Sequence, residues 1–237
     1  MIQTEGVFVG GSAISAPIIG EDFQWSGSDG TYQVLDDGGG NWRIKFLSSG
    51  TFTPLKNMVI DVFLVGGGGG AGSSYCGEGG AGYTTTVRSI VLAANTAYPI
   101  VVGAAGTNGN PSSAGGETTA FTASAAGGKN TSNGTSSSKR PGGAGGSGGA
   151  GYVSPVATTT GGTDGGDGTS SATAGGKGQG TTTREFGEAD GDLYASGGGS
   201  NLTATVANSG NGGRNGITSI APADGIVVIR QHKEVAA

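Results

Sequence analysis

"VIDVFLVGGGGGAGSSY", residues 59–75, decides how the rest of the chain is read. An apolar run ends in a glycine string, and Gly67-x-Gly69-x-x-Gly72 satisfies a dinucleotide-binding fingerprint. In that reading Val59 to Val65 is the strand and the glycines cradle a pyrophosphate. Such a site needs a helix straight after the glycines, with its N-terminus on the phosphates. Here the chain continues SSYCGEGGAGYTTT, rich in glycine and β-branched residues, which are poor helix formers. No acidic residue stands clearly at the expected distance of about 20 residues. No cofactor is therefore expected, and glycine must serve another purpose.

Glycine supplies 54 of the 237 residues, while hydrophobic residues supply only 34%. A conventional apolar core over the whole length is excluded on that balance. Phe23, Trp25, Tyr32, Trp42, Phe46, Phe52 and Phe63 all precede residue 66, so an ordinary core is expected early and another principle later. Charged residues make up 12% and the net charge is −5, which argues against a nucleic-acid partner, since binding there needs clustered Lys and Arg. No run of about 18 apolar residues is present for a membrane span. MIQTEGVFVGGSAISAP lacks the basic start of a secretory signal, so the expectation is a protein made in the cytoplasm without a signal peptide.

Catalytic and metal-binding side chains are thin. Cys76 and His232 are each the sole residue of their type, which rules out an intrachain disulfide and a zinc site. Cys76 reads as a small packed residue and His232 as a solvated tail residue. Asp164 and Asp167 in GGTDGGDG (161–168) do not follow the order of calcium-binding glycine repeats. Glu185, Glu188, Asp190 and Asp192 supply enough carboxylates for glycoside hydrolysis, but acidic loop residues are commoner than catalytic ones. The expectation is a non-enzymatic protein without metal.

Strands are legible in places. NWRIKF alternates Trp42, Ile44 and Phe46 against Arg43 and Lys45, the period of a half-buried strand. TFTPL, MVIDVFLV, Tyr83 to Leu92, Tyr98 to Val102 and Ile226 to Arg230 add further short strands bounded by turn residues, while no stretch shows helical period. Between them glycine strings recur: GGAGGSGGAG (142–151), GGTDGGDG (161–168), GGKGQG (175–180), SGGGS (196–200) and GNGGRNG (210–216). A flexible linker is one reading of such composition. The other is a bundle of left-handed threefold helices, whose outward backbone groups pair between neighbours because no side chain keeps them apart. The similar lengths of the strings and the strand that closes the array favour the bundle. No sustained G-X-Y register with proline appears, so the chain is not collagen-like.

The blocks "NWRIKFLSSGTFTPLKNMVIDVFLVGGGGGAG", "GYTTTVRSIVLAANTAYPIVVGAAG", "TTTREFGE" and "DGIVVIRQ", in that order, resemble the glycine-rich domain proteins of bacteriophage tails. The resemblance covers roughly residues 41–232. It implies a mainly β fold: a small β-sandwich or jelly-roll-like unit joined to a bundle of polyglycine II-type helices, with essentially no α-helix. It divides the matched part into a β-rich unit (41–103, completed by a strand at 225–231) and the glycine bundle (104–224); from its position alone, 1–40 is expected to be an N-terminal attachment segment. It further implies a receptor-binding tail fibre protein of a virion, recognising a bacterial surface polysaccharide or protein through loops. Residues 1–40 would meet other virion proteins, and homo-oligomerisation stays open. The alternative is a purely structural virion component.

If successive strings run antiparallel, loops 129–141, 169–174 and 201–209 share one end, and 152–160, 181–195 and 217–225 share the other. Candidate receptor contacts are Asn130, Asn133, Lys139, Arg140 and Asn201 at the first end, and Tyr152, Arg184 and Tyr194 at the second. Phe186 equally suits a role in pinning its loop to the scaffold.

Overall fold

The computed structural model describes residues 22–27, 32–38, 40–134, 140–152, 160–169, 175–215 and 219–232. Ten strands are described: β1 (Phe23–Gly27), β2 (Tyr32–Gly38), β3 (Asn41–Phe46), β4 (Gly50–Pro54), β5 (Met58–Val65), β6 (Thr84–Leu92), β7 (Tyr98–Val101), β8 (Thr118–Ala120), β9 (Ala123–Ala125) and β10 (Ile226–Gln231). They form two antiparallel sheets, ordered β1-β4-β7-β8-β9 and β2-β3-β10-β5-β6. The fold is mainly β, and the one helical element among the described residues is a single 3₁₀ turn at Glu185–Gly187.

Alternation explains how the sheets meet. Ile44, Phe46, Ile60, Val62, Leu64, Val227 and Ile229 of the second sheet face Phe23, Phe52, Ile100 and Ala120 of the first. Phe23 stacks on Phe52 at 5.3 Å between centroids, and Phe46 meets Phe52 edge-on at 5.7 Å. Each of these fully buried side chains contributes about 1.5–3 kcal/mol.

The sheets reach beyond the expected boundaries. β1 and β2 precede residue 41, and they pair with β4 and β3. β8 and β9 lie inside the stretch assigned to the bundle, and β8 pairs with β7.

The glycine strings grow directly out of the strands. String 66–72 continues β5, and 77–82 returns to β6; strings 102–108 and 113–117 leave β7 and enter β8; string 126–131 leaves β9. Hydrogen bonding in string 66–72 reveals their geometry. Gly66 and Gly69 donate to the carbonyls of Tyr83 and Gly80, Gly67 and Gly70 to Gly116 and Ser113, and Gly68 to Ala223. Its carbonyls follow the same rotation: Gly67 and Gly70 accept from Gly128 and Thr131, Gly68 and Ala71 from Gly106 and Gly109, and Gly69 from Gly213. In string 77–82, Glu78 and Ala81 donate to Ala150 and Ser147, and Gly79 and Gly82 to Gly213 and Gly210. Partners recur every third residue, which is the period of a threefold extended helix, and at about 3.1 Å per residue such a string spans about 20 Å.

Close approach is what demands glycine here. A Cβ at Gly68 would overlap the Asn211 carbonyl, and one at Gly70 the Thr107 carbonyl. The N–H groups of Gly67, Gly69 and Gly70, which a phosphate would need, are spent on neighbouring strings. The fingerprint is thus a product of glycine abundance.

Two strings expected to be single helices are hairpins. In 142–151 the chain bends at 145–147 and Gly149 donates to Gly143 at 2.9 Å. In 161–168 Asp164 and Gly165 adopt φ of 52° and 83°, and Gly166 donates to Thr163 at 3.0 Å. Each hairpin adds a reversal, which changes which loops share an end.

Candidate functional site

The strings carry their turns to a tip remote from the sandwich. Residues 73–76 close the hairpin leaving β5, and 109–112 close the one leaving β7. Beside them stand Asn130, Asn133, Arg140, Tyr152, Thr160, Thr169, Asn201 and the paired Arg214 and Ile220. Loop 152–160 therefore begins at the same end as loop 129–141, correcting the expected grouping. Direct contacts prove it: Tyr152 N–H donates to the Arg140 carbonyl at 2.8 Å, and Thr169 N–H to the Thr160 carbonyl at 2.8 Å.

Side chains at the tip tie neighbouring turns together. Asn133 accepts from Ser73 N–H at 2.7 Å and donates to Ser73 Oγ at 3.0 Å. Asn130 donates to the Ser112 carbonyl at 3.0 Å, and Asn201 accepts from Gly161 N–H at 2.9 Å. Asn108 accepts from Ala71 N–H and donates to the carbonyls of Arg214 and Ile220. Tyr75, which the sequence reading passed over, meets Tyr152 edge-on at 5.8 Å. Lys139 lies outside the described residues.

Glu78 sits just beneath this tip. Its carboxylate accepts from Asn215 N–H at 2.7 Å, while Asn215 also donates to the Gly72 carbonyl. Burial pushes the carboxyl up to about 7, against the lowering influence of Asn215 N–H and Arg214. The Cys76 thiol nearby rises to about 11 through burial and the Glu78 charge.

Arg184 and Tyr194 lie at the opposite end of the strings, on the outer face of the β3-β10-β5 sheet. Tyr194 is only 8% exposed, so it does not present an aromatic surface, and it packs against Phe63 with Phe186. Its hydroxyl receives the Lys45 ammonium at 2.9 Å and donates to Glu185 at 3.2 Å. Burial and the Glu185 charge raise that hydroxyl to about 12. Arg184 donates to the Gly191 carbonyl and pairs with Asp164 at 3.5 Å. Phe186 is buried under the Arg230 guanidinium, 4.1 Å from its centroid, and fastens the 181–195 loop to the sheet.

The four carboxylates weighed for hydrolysis line this same loop. Glu185 pairs with Arg43 and Lys45, Asp192 with Lys45, and Glu188 with Arg230 at 2.7 Å. The Lys45 hydrogen bond holds Asp192 below the usual carboxylate range. His232, expected in solvent, instead lies 2.6 Å from Asp61, a fully buried carboxylate that also binds Arg88, Arg230 and Ser89 N–H. Burial would raise Asp61, but these partners hold it below its ordinary value.

Ser89 Oγ lies 3.2 Å from His232 Nε2 and 3.4 Å from Nδ1. Near-equal distances put the hydroxyl midway between the two nitrogens, off the axis of either lone pair. The Ser89–His232–Asp61 cluster ties β6 and β5 to the residue that follows β10. Asp164 is likewise structural: the Thr182 hydroxyl and Thr183 N–H satisfy it.

A family model described as a glycine-rich domain matches residues 47–230, most of the chain. The chain belongs to the glycine-rich domain family. Among curated proteins no sequence matches it. The span that defines the glycine-rich domain runs from the β3–β4 turn to Arg230, so it takes in both the bundle and most of the sandwich.

Proposed function

We propose that this glycine-rich domain protein is a receptor-binding protein of a bacteriophage tail fibre, acting without catalysis and engaging a bacterial surface structure through its tip loops. The observation that carries the reading is polarity. Turns from many strings converge at one pole, whereas β1 begins and β10 ends at the other. There Leu55 N–H donates to the Asp22 carbonyl at 2.8 Å, beside the turns that join β4 to β5 and β6 to β7. A rigid body with string turns gathered at one end and the sandwich at the other suits attachment behind and recognition in front. On this reading residues before β1 join the protein to the rest of a virion.

A second reading, a purely structural virion component, draws on the tip amides. Asn108, Asn133 and Asn201 all bind neighbouring turns, as a capping layer would require. Labelled protein applied to a panel of bacterial strains separates the two. Selective staining, lost when residues 132–139 are replaced by a short Gly/Ser turn, is expected for the receptor-binding protein. Staining of no strain by the folded protein would favour the structural role.

A further inference from the structure

We propose that Tyr75 and Tyr152 form a sugar-binding platform for a neutral pyranose of a bacterial surface polysaccharide. The inference rests on the receptor-binding reading and names its ligand class.

Tyr75 is an exposed large aromatic, 41% accessible, at the very tip of the hairpin leaving β5. It holds φ of 47°, in the left-handed region that bulky residues avoid. Strain of that kind, of order 1–3 kcal/mol, persists only where surrounding contacts enforce it. They do so here: Ser73 is bound at both its N–H and its hydroxyl by Asn133, and the Ser74 carbonyl accepts from Gly134 N–H at 3.1 Å. The Cα–Cβ bond of Tyr75 is therefore held in one direction. Tyr152 braces it edge-on, itself held by the bridge to Arg140. Neither tyrosine hydroxyl bonds to another described residue.

The chemistry around the pair selects the ligand. Segments 73–75 and 132–134 contain Ser, Tyr, Asn and Gly and no charge, and the cation beside Tyr152 is Arg140, joined to it through the backbone. An amphipathic ring among amide and hydroxyl groups, ordered at little entropic cost, suits a partner with an apolar face and hydroxyl edges. A pyranose has both: axial C–H groups lie over the aromatic face, and its hydroxyls meet polar neighbours. An anionic polymer would instead call for clustered cations, with bidentate Arg as the usual device.

The test uses the full chain with Tyr75→Asn, since Asn tolerates the left-handed backbone, and Tyr75→Phe, which keeps the face and loses the hydroxyl. Cells that the protein stains are treated with periodate, which cleaves sugar vicinal diols, or with protease. The expected result is staining abolished by periodate, spared by protease, reduced at least tenfold in Tyr75→Asn and largely retained in Tyr75→Phe. Staining that survives periodate and fails after protease would overturn the sugar platform while leaving receptor binding intact. In parallel, saturation-transfer NMR with methyl glucoside, methyl galactoside and N-acetylglucosamine at millimolar concentration reads the platform without cells. Transfer that is lost in Tyr75→Asn supports it even if no strain is stained; no transfer and no staining would overturn both readings.

Discussion

In the sandwich, Phe46, Phe52 and Leu64 are fully buried among large side chains. In the bundle, Gly66 to Gly70 are equally buried, yet what surrounds them is other main chain. The first region is held by apolar surface removed from water. The second is held by N–H and C=O groups that satisfy one another across strings, with almost no side chain between them. Each backbone pair is worth only about 0.5–1.5 kcal/mol net, so the bundle depends on completeness, and glycine's large ordering entropy makes every omission felt. The sandwich is therefore sensitive to atoms removed, the bundle to atoms added.

The sharpest way to break that contrast is one carbon. Gly68→Ala places a Cβ on the Asn211 carbonyl, which belongs to a string fixed on its other sides. A loss exceeding the ~3–5 kcal/mol of a large core truncation is expected in chemical denaturation. Gly166→Ala, whose new carbon meets only the Thr163 oxygen at 3.1 Å, is the control and costs less than about 1 kcal/mol. Comparable losses in the two variants would show that close string packing is not what stabilises the bundle. In the sandwich the converse change, Phe52→Ala, removes a ring that touches Phe23, Phe46 and Phe121, with an expected cost of ~3–5 kcal/mol by the same measurement.

A smaller effect comes from Glu78, an acid of the bundle whose value burial raises. Glu78 titrates near 7 when folded, against 4.5 ordinarily. Below about pH 4.5 it is neutral in both states and its contribution is fully present; as pH rises through 7 the folded protein must ionise a buried group, and that contribution is lost. At about 1.36 kcal/mol per unit, the decline between pH 5 and pH 8 amounts to ~2–3 kcal/mol, and Glu78→Gln removes it. Asp61, Asp164 and Asp192, all held below their ordinary values, act in the opposite sense and only in more acid solution, where their contribution is lost on protonation. Equal pH slopes for the native chain and Glu78→Gln would refute the assignment.

Much of the sandwich is legible in the residues. β3, β5 and β10 announce themselves by alternation or by β-branched runs, because one face of each must be apolar. β8 and β9 do not: Thr118–Ala120 and Ala123–Ala125 are small residues whose pairing is decided by β7 and by the tight Phe121 turn, at φ of 55°. The period of the bundle is visible only in hydrogen bonding, since glycine leaves no pattern of faces. For the same reason the bend at 145–147 is hidden, Ser147 being one small residue among others, and the loop grouping built on unbroken strings failed with it. The tip was partly readable: Asn130, Asn133 and Arg140 stand together as grouped, but Tyr152, assigned to the other end, joins them, and Tyr194 is withdrawn by Lys45 and Glu185. Lys45 precedes Tyr194 by 149 positions, and Asp61 precedes His232 by 171, spacings that no local pattern encodes.

String and strand are one continuous chain at Val65–Gly66, Val101–Val102 and Gly225–Ile226. A pull on the tip therefore passes through covalent bonds into the sandwich, with no flexible joint between. The inter-string hydrogen bonds lie across the direction of that pull and are loaded together in shear, so none can be peeled away before its neighbours. The molecule is built as a strut that bears tension along its length.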